Sequence, residues 1–439
     1  MPVWRKLSAC VTIRRLVKRT AVGREDRHAD KIVRARFNDI VRDISMKTVR
    51  VGLIGARFAA NFHYNSLLRV TGVNVQVIGV TSATAASRNA FAEERGIKAF
   101  DTFEDMLDDV DVVDICTPGN LHEPFAVKAA DAGKHVIVEK PFTGAYGPKD
   151  ADENWSASGA PRAPMLEEAL ASAHRMVEAA RKNHVKLMYA ENWVYAPTVQ
   201  KEVEVLTATK GQILWAIGNE SHSGSTSPVY GIWRKSGGGS LVGKGCHPLS
   251  AVLYLKRVEG MARTGTPIRP RSVSARMHEM TKNLKFIDAG FLRTGYHDIE
   301  DFCQVHVVFD DGFCADIFAS EIALGGVQNW LEIFANNHRM RCNMNPAENC
   351  ILYNPKEDQL ADVYITEKLG TKQGYSFPHP DEEHAHGYPQ EMQDFLECVA
   401  FDREPKADGE LGLDTVAAMY AAYVSAEQGG KEVDIPLPK

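Results

Sequence analysis

The sequence predicts a chain in two folded parts, a parallel α/β half followed by an α+β half, and three observations carry that prediction. From residue 49 onward, short apolar runs alternate with helix-length amphipathic segments at spacings of about 20 to 35 residues. That is the rhythm of βαβ units in a parallel sheet covered on both faces. After Pro197 the rhythm changes to longer alternating strands in succession, with long helices gathered at the end. Before residue 46 the composition belongs to neither half: residues 1–45 hold 12 Lys/Arg against 5 Asp/Glu, so a chain of net charge −6 carries −13 beyond that point.

Those first 45 residues are expected to lie outside the fold. Arg14-Arg15 suggests a twin-arginine export signal, but Leu16-Val17-Lys18-Arg19-Thr20 runs into charge where an apolar core should begin. Glu25, Asp26, Asp30 and Asp39 speak against an Arg-rich presequence, and Met46-Lys47 directly before Val49 reads as a natural start. The expectation is a disordered or non-native extension over 1–45, then folded parts over 46–192 and 193–439. A hydrophobic fraction of 44% with 25% charged residues suits a large core. The net charge excludes a globally basic nucleic-acid binder, and no run of 18 apolar residues marks a membrane span. Cysteines 10, 116, 246, 303, 314, 342, 350 and 398 form no CxxC pair, which points to reduced thiols and a cytoplasmic setting.

The first strand, Val49 to Gly55, opens into Gly55-Ala56-Arg57-Phe58-Ala59-Ala60. Gly55 suits a tight turn and Ala60 is small enough for a helix to pack close, while Arg57 stands where a glycine-rich dinucleotide loop has its second glycine. A plain strand-to-helix turn has the same outline. The second strand, Val75 to Val80, is followed by Thr81-Ser82-Ala83-Thr84, with Arg88 one helical turn on and no acidic residue. A carboxylate there would hold the ribose hydroxyls of NAD, whereas a small hydroxyl and a guanidinium accept a 2'-phosphate, which tilts the reading toward NADP. Ser82 and Thr84 equally suit a cap for a helix beginning near Ala85.

The third strand, Val112 to Cys116, runs into Thr117-Pro118-Gly119-Asn120-Leu121-His122, and the fourth, His135 to Glu139, into Lys140-Pro141-Phe142. A lysine at the carboxyl end of a buried parallel strand stands where such sheets bind ligands. Burial would lower its pKa toward the range useful for proton transfer. Residues 144–164, rich in Gly, Pro and small polar residues, precede a helix starting near Leu166; they could cover a substrate or form a surface excursion.

In the second half, strands are expected at Gln212–Ser221, Arg271–Glu279, Phe302–Phe309 and Phe313–Ala319, the last two joined by an Asp310-Asp311-Gly312 turn. Helices are expected at Gln390–Phe401 and Leu413–Gln428. His222, at a strand end, is a candidate substrate contact or an exposed turn histidine. Trp233 and Arg234 would offer a hydroxyl-rich ligand a flat wall and donors, or Trp233 is core. His379 to His386 holds three His and three carboxylates, but their spacing matches no standard ligand motif, so a solvated loop and no metal are expected.

Taken in order, the Gly55–Ala60 loop, TPGNLH at 117–122, AGKHVIVEKPF at 132–142, NWVYAP at 192–197, WR at 233–234 and GGGSLVGKGCHP at 237–248 resemble the glucose-fructose oxidoreductase and inositol dehydrogenase family (Gfo/Idh/MocA). The resemblance implies a Rossmann dinucleotide-binding domain followed by an open mixed β-sheet for substrate and for oligomerisation as a dimer or tetramer. It implies an NAD(P)-dependent oxidoreductase that passes hydride between nicotinamide and a sugar, polyol or glycoside. Lys140 would work at the hydride-transfer centre with His247 as the second proton-handling group. Thr117, Pro118, Asn120, His122, Glu139 and Pro141 would line the cofactor, with Trp193 at its nicotinamide end, alongside Gly55, Arg57, Phe58, Ala59, Ser82 and Arg88 from the two strand ends. Two positions depart from the family, which commonly has Asp where Gly243 and Ser250 flank His247 here. Without that carboxylate the imidazole is expected to titrate as a less basic group. Competing readings on the same fold are a redox-neutral glycosidase or lyase that keeps NAD bound, and a non-catalytic nucleotide-binding regulator. Retention of both Lys140 and His247 speaks against the regulator.

Overall fold

The short apolar runs of the first half do pair as a parallel sheet. The structure, a computed structural model, describes residues 46–148, 150–152, 155–227, 229–346 and 350–437, so the expected extension over 1–45 lies outside the described residues. Strands β1 (Thr48–Ile54), β2 (Asn74–Thr81), β3 (Lys98–Ala99), β4 (Val112–Ile115), β5 (His135–Glu139) and β6 (Leu187–Ala190) lie in the order β3-β2-β1-β4-β5-β6, all parallel. Val51, Val112, Val113, Val136, Ile137 and Val138 are fully buried, which is why these strands read as unbroken apolar runs. Helices α1 (Phe58–Leu67), α2 (Ala85–Arg95), α3 (Glu104–Leu107), α4 (His122–Asp131) and α5 (Arg162–Lys182) connect them. The strand order reverses between β1 and β4, and the crevice at their carboxyl ends is where this architecture takes a ligand.

The second sheet is mixed. Its strands are β7 (Ile213–Ser221), β8 (Pro270–His278), β9 (Phe302–Phe309), β10 (Cys314–Ser320), β11 (Gln328–Ala335), β12 (Arg339–Asn345) and β15 (Val433–Asp434), in the order β12-β11-β7-β10-β9-β8-β15. Only β7 and β10 among these neighbours run parallel. The period of two is plain along β9, where Cys303, Val305, Val307 and Phe309 are buried, and along β10, where Ala315, Ile317 and Ala319 are. A hairpin of β13 (Leu352–Asn354) and β14 (Gly374–Ser376) stands apart.

Helices α6 (Asn192–Tyr195), α7 (Pro197–Thr209), α8 (Trp233–Ser236) and α9 (Cys246–Thr264) precede most of these strands, and α10 (Glu382–His386), α11 (Tyr388–Phe401) and α12 (Gly409–Glu427) follow them. The expected segregation of helices to the chain's end is therefore corrected. α9 reads apolar almost all round because it is buried on every side, and such a helix shows no amphipathic stripe to find. The last helices also return to the first half, α11 packing on α1 and α12 on α5.

The segment 144–164 is anchored rather than draped over the surface. The backbone N–H of Ala145 donates to the Tyr420 hydroxyl (2.8 Å), its carbonyl accepts from Trp233 Nε1 (2.9 Å), and the N–H of Ala157 donates to Asp298 (2.8 Å). The Arg162 guanidinium lies over the Trp233 ring, and α5 begins at this residue rather than near Leu166.

Candidate functional site

Four strand ends place the polar groups. At β1, Gly55 takes φ of +107°, and a Cβ there would lie 2.5 Å from the Cys116 carbonyl oxygen, so only glycine lets the two strand ends close on each other. Ala60 is fully buried beside Leu53 and Val80, which seats α1 tightly on the sheet. Arg57 and Phe58 are exposed at the start of α1, with Ala59 half-buried behind them. At β2, Thr84 caps α2 by accepting from the Ser87 N–H, while the Ser82 hydroxyl donates to the Thr84 carbonyl. Arg88 pairs with the exposed Asp101, and its buried Nε has no acceptor.

At β4, the Thr117 hydroxyl is buried without a hydrogen-bond partner among the described residues. His122 is turned inward, its ring nitrogens 2.8 Å from the Pro141 carbonyl and 2.9 Å from that of Thr117. Burial holds this ring below its ordinary pKa, and as a neutral imidazole it carries one N–H, which it can donate to one of these two carbonyls at a time. Pro118 precedes the turn and Asn120 faces the other way, into a cleft of about 310 Å³ walled by Glu123, Tyr146, Arg175 and Arg234.

At β5, Lys140 Nζ donates to the Gly243 carbonyl (3.1 Å) and thereby joins the end of β5 to the helical turn Leu241–Gly245 that leads into α9. Its pKa lies above the ordinary value, not below it as burial alone would give. Burial pulls it down, but the Cys246 sulfur and the carboxylates of Glu139, Glu220 and Glu191 outweigh that pull. Burial holds Cys246 as a neutral thiol, which leaves the carboxylates as the effective cause. Glu139 stays below its ordinary range despite burial, because His63, Lys140 and His247 face it. His63 in turn bridges from Asp114 (2.9 Å) toward Glu139 (3.7 Å).

The imidazole of His247 opens α9 and is buried. Its Nδ1 lies 2.6 Å from Glu191 Oε1, and its Nε2 lies 4.0 Å from Glu220 Oε2. Trp193 stacks on it at 6.1 Å and 18°. Burial depresses its pKa, but Glu191 and Glu220 outweigh that and raise it, so the expectation of a less basic imidazole is corrected. Neither glutamate stood out in the sequence. Glu191 follows the short strand β6, where the EKP segment already shows that an acid at a parallel strand end marks the crevice. Glu220 is the penultimate residue of β7, and His222 follows just past the strand's end.

Glu220 is 9% exposed, and its buried Oε2 has no hydrogen-bond partner among the described residues. His222 Nδ1 accepts from the Gly224 N–H (3.0 Å), so its proton sits on Nε2. Burial, with Lys244, Lys368 and Lys140 nearby, pushes its pKa down to about 2 and keeps the ring neutral. Lys244, assigned no role on sequence grounds, is buried against Glu321, which also takes the hydroxyls of Tyr230 and Tyr296. Trp233 is not brought to this site: it is 1% exposed, its indole N–H is spent on Ala145, and it is core. Arg234 donates to the Asp152 carbonyl at the outer cleft.

Among the described residues, two groups carry metal-ligand chemistry, His63/Asp114/Cys116 and Glu191/Cys246/His247. His63 and His247 are each already engaged with a carboxylate at hydrogen-bond distance. The His379–His386 segment is dispersed: Asp381 caps α10 and pairs with Arg69, while Glu382 takes Asn345 and Thr366. The residues at the crevice do fit a dinucleotide. The Gly55 turn opens at a helix N-terminus, and Thr117 Oγ1, Arg88 Nε and Glu220 Oε2 are buried polar atoms with no hydrogen-bond partner among the described residues.

Residues 49–157 match the model of the "Oxidoreductase family, NAD-binding Rossmann fold", GFO_IDH_MocA. Over that quarter of its length the chain is similar to the Gfo/Idh/MocA oxidoreductases. An inositol 2-dehydrogenase of Corynebacterium glutamicum (strain R) is 37% identical over 103 residues, 22% of this chain and 29% of that protein, so the alignment spans under a third of the relative. A levoglucosan dehydrogenase of Pseudarthrobacter phenanthrenivorans is 25% identical over 368 residues, 78% of this chain and 83% of the relative. Among solved structures, GenD2 from gentamicin A biosynthesis in complex with NAD superposes with a TM-score of 0.71 at 22% identity, over 89% of this chain and 97% of that one. That likeness extends the shared fold to the second sheet. No helix among the described residues is long and apolar enough to cross a membrane.

Proposed function

We propose that the chain is an NAD(P)-dependent dehydrogenase or reductase acting on a CH–OH group of a sugar, polyol or glycoside. The observation that carries this reading is the meeting of Lys140, at the end of β5, and His247, at the start of α9, beside a buried Glu220 oxygen that has no hydrogen-bond partner among the described residues. A bound nicotinamide supplies the hydride acceptor, and the protein must position the alcohol and move one proton. Lys140, held above its ordinary pKa, stays an ammonium; it steadies negative charge on the reacting oxygen rather than accepting the proton. The base is then His247. With Nδ1–H given to Glu191, its neutral ring keeps a lone pair on Nε2 for the substrate hydroxyl. Glu220 Oε2 takes a neighbouring hydroxyl, and His222 Nε2–H gives a donor just past the end of β7.

Gly55, Arg57, Phe58, Ala59, Thr117, Pro118, Glu139 and Pro141 are assigned to the cofactor. His122 and Trp193 support them from behind, and Asn120 borders the outer cleft. A preference for NADP is proposed through Ser82 and Arg88: the partner Asp101 is 84% exposed, and a dianionic 2'-phosphate competes well with such a surface pair. The second sheet's outer face carries Trp215, Phe318, Trp330 and Phe334, and a second copy of the chain is proposed to cover it, as a dimer or tetramer. Seven free cysteines among the described residues accord with a cytoplasmic setting.

The test is a nicotinamide-absorbance screen with NAD and NADP over sugars, polyols and glycosides. Net cofactor reduction with at least one of them is expected. Release of aglycone without net absorbance change would overturn the reading in favour of a redox-neutral glycosidase, and dinucleotide binding without turnover would favour a regulator.

A further inference from the structure

The family's usual carboxylate is absent at position 243, and the structure leaves no room for one. A Cβ on Gly243 would lie 2.6 Å from the Tyr230 ring, which itself is held by Glu321. Yet His247 has a carboxylate at 2.6 Å, delivered from the end of β6 in the other half of the molecule. Glu191 is fully buried, and its remaining contacts are weak ones at 3.4 Å, to the Trp193 N–H and the Tyr189 hydroxyl. The short bond is the one to the imidazole.

We infer that Glu191 is the positioning residue of the proton-handling imidazole, supplying from the parallel-sheet half the carboxylate that position 243 lacks. The inference rests on the hydride-transfer reading above. Glu191 accepts Nδ1–H, which fixes the tautomer with its Nε2 lone pair toward Glu220 and the substrate. It would also stabilise the imidazolium formed when the alcohol's proton arrives: the alcohol O–H bond would break as an N–H bond forms on Nε2, and the carbon bearing that oxygen would give up its C–H electron pair as hydride to a bound oxidised nicotinamide while its C=O bond forms. Because Glu191 and His247 belong to different halves, and Lys140 bonds across the same gap to the Gly243 carbonyl, the relay is assembled only when the two strand-end clusters are in register.

The experiment compares wild type, Glu191→Gln, Glu191→Asp, His247→Ala and Lys140→Met for dinucleotide Kd, thermal midpoint, kcat against pH, and the His247 ring titration by NMR. Glutamine keeps an acceptor and the cap but loses the charge. It is expected to lower kcat by about 10²-fold and to move both the acid limb and the ring titration roughly 1 to 3 pH units lower, with Kd unchanged. Glu191→Asp, which keeps the charge, should restore the limb. An unaltered limb and ring titration in Glu191→Gln, while His247→Ala and Lys140→Met lose turnover, would overturn the inference and leave the function standing. Wild-type turnover in the two latter variants would instead overturn the function. The ring titration needs no substrate, so it decides on Glu191 even if no turnover is found.

Discussion

Glu139 and Lys140 are neighbours in sequence at the end of β5, and each holds the other in its charged form: the carboxylate lies below its ordinary pKa and the ammonium above. An ammonium that does not release its proton near neutrality can orient and stabilise, but it cannot serve as the base. Lys140→Met should therefore lower kcat by about 10² to 10⁴ and leave dinucleotide affinity largely intact; wild-type turnover in that variant would remove the catalytic assignment. Since carboxylates raise the pKa of His247 above its ordinary value, the ring must lose a proton before it accepts one. Alcohol oxidation should accordingly rise with pH through and above neutrality, while carbonyl reduction falls. At the other end of the crevice, Ser82→Asp should shift preference toward NAD, since the new carboxylate would accept ribose hydroxyls and repel a 2'-phosphate. Wild-type enzyme that already favours NAD tenfold, about 1.4 kcal/mol, would sink the NADP reading.

Between elements, the register of β7 against α9 decides whether these residues meet. Gly218 and Glu220 share one face of β7, with His222 just past its end, and a Cβ on Gly218 would lie 2.6 Å from the Pro248 Cβ. This bare stretch of strand lets α9 approach closely enough for His247 to sit beside Glu220. Gly218→Ala should push the helix away, costing about 1 to 3 kcal/mol as overpacking does, and should lower kcat far more than it weakens dinucleotide binding. Equal losses in both would show that the contact is merely structural. The parallel strands were legible because burial on both faces writes them as apolar runs, and β9 and β10 because their turn and alternation are clear. Strands β11 and β12 were missed: Trp330, Arg339 and Arg341 put large or charged side chains on the outer face, and Glu332 is buried against those arginines. Lys140 and His247 were legible from strand-end position and resemblance. Glu191 was not, because its partner lies 56 residues away and only tertiary packing brings the two together.

Across the whole molecule, the interior holds protons that an unfolded chain would release. His63 and His247 have raised pKa values, burial lifts Glu300 to about 7, and Glu391 stands well above the ordinary carboxylate value. Buried His122, His222 and His386 are shifted the opposite way, the last to about 4. Those neutral histidines add stability as pH rises toward 6.5, the ordinary histidine value, and nothing further above it. The raised groups act with the other sign. Their stabilisation is present below the unfolded pKa and is lost as pH climbs through the folded value, so below about pH 6.5 the two sets oppose and above it these groups all act in one direction. Stability should therefore fall between pH 6.5 and 8, each proton kept by the folded state and lost by the unfolded one contributing about 1.4 kcal/mol per pH unit. Glu391 offers the clearest test. It is fully buried on α11, both carboxyl oxygens lack hydrogen-bond partners among the described residues, and His63, Glu139, Glu191 and Asp114 all act on it. Glutamine keeps its shape and cannot ionise, so Glu391→Gln should flatten the decline in thermal midpoint over that window and raise the midpoint most at pH 8. A variant whose midpoint follows the wild-type pH curve in parallel would mean that Glu391 is not one of the protons the fold retains.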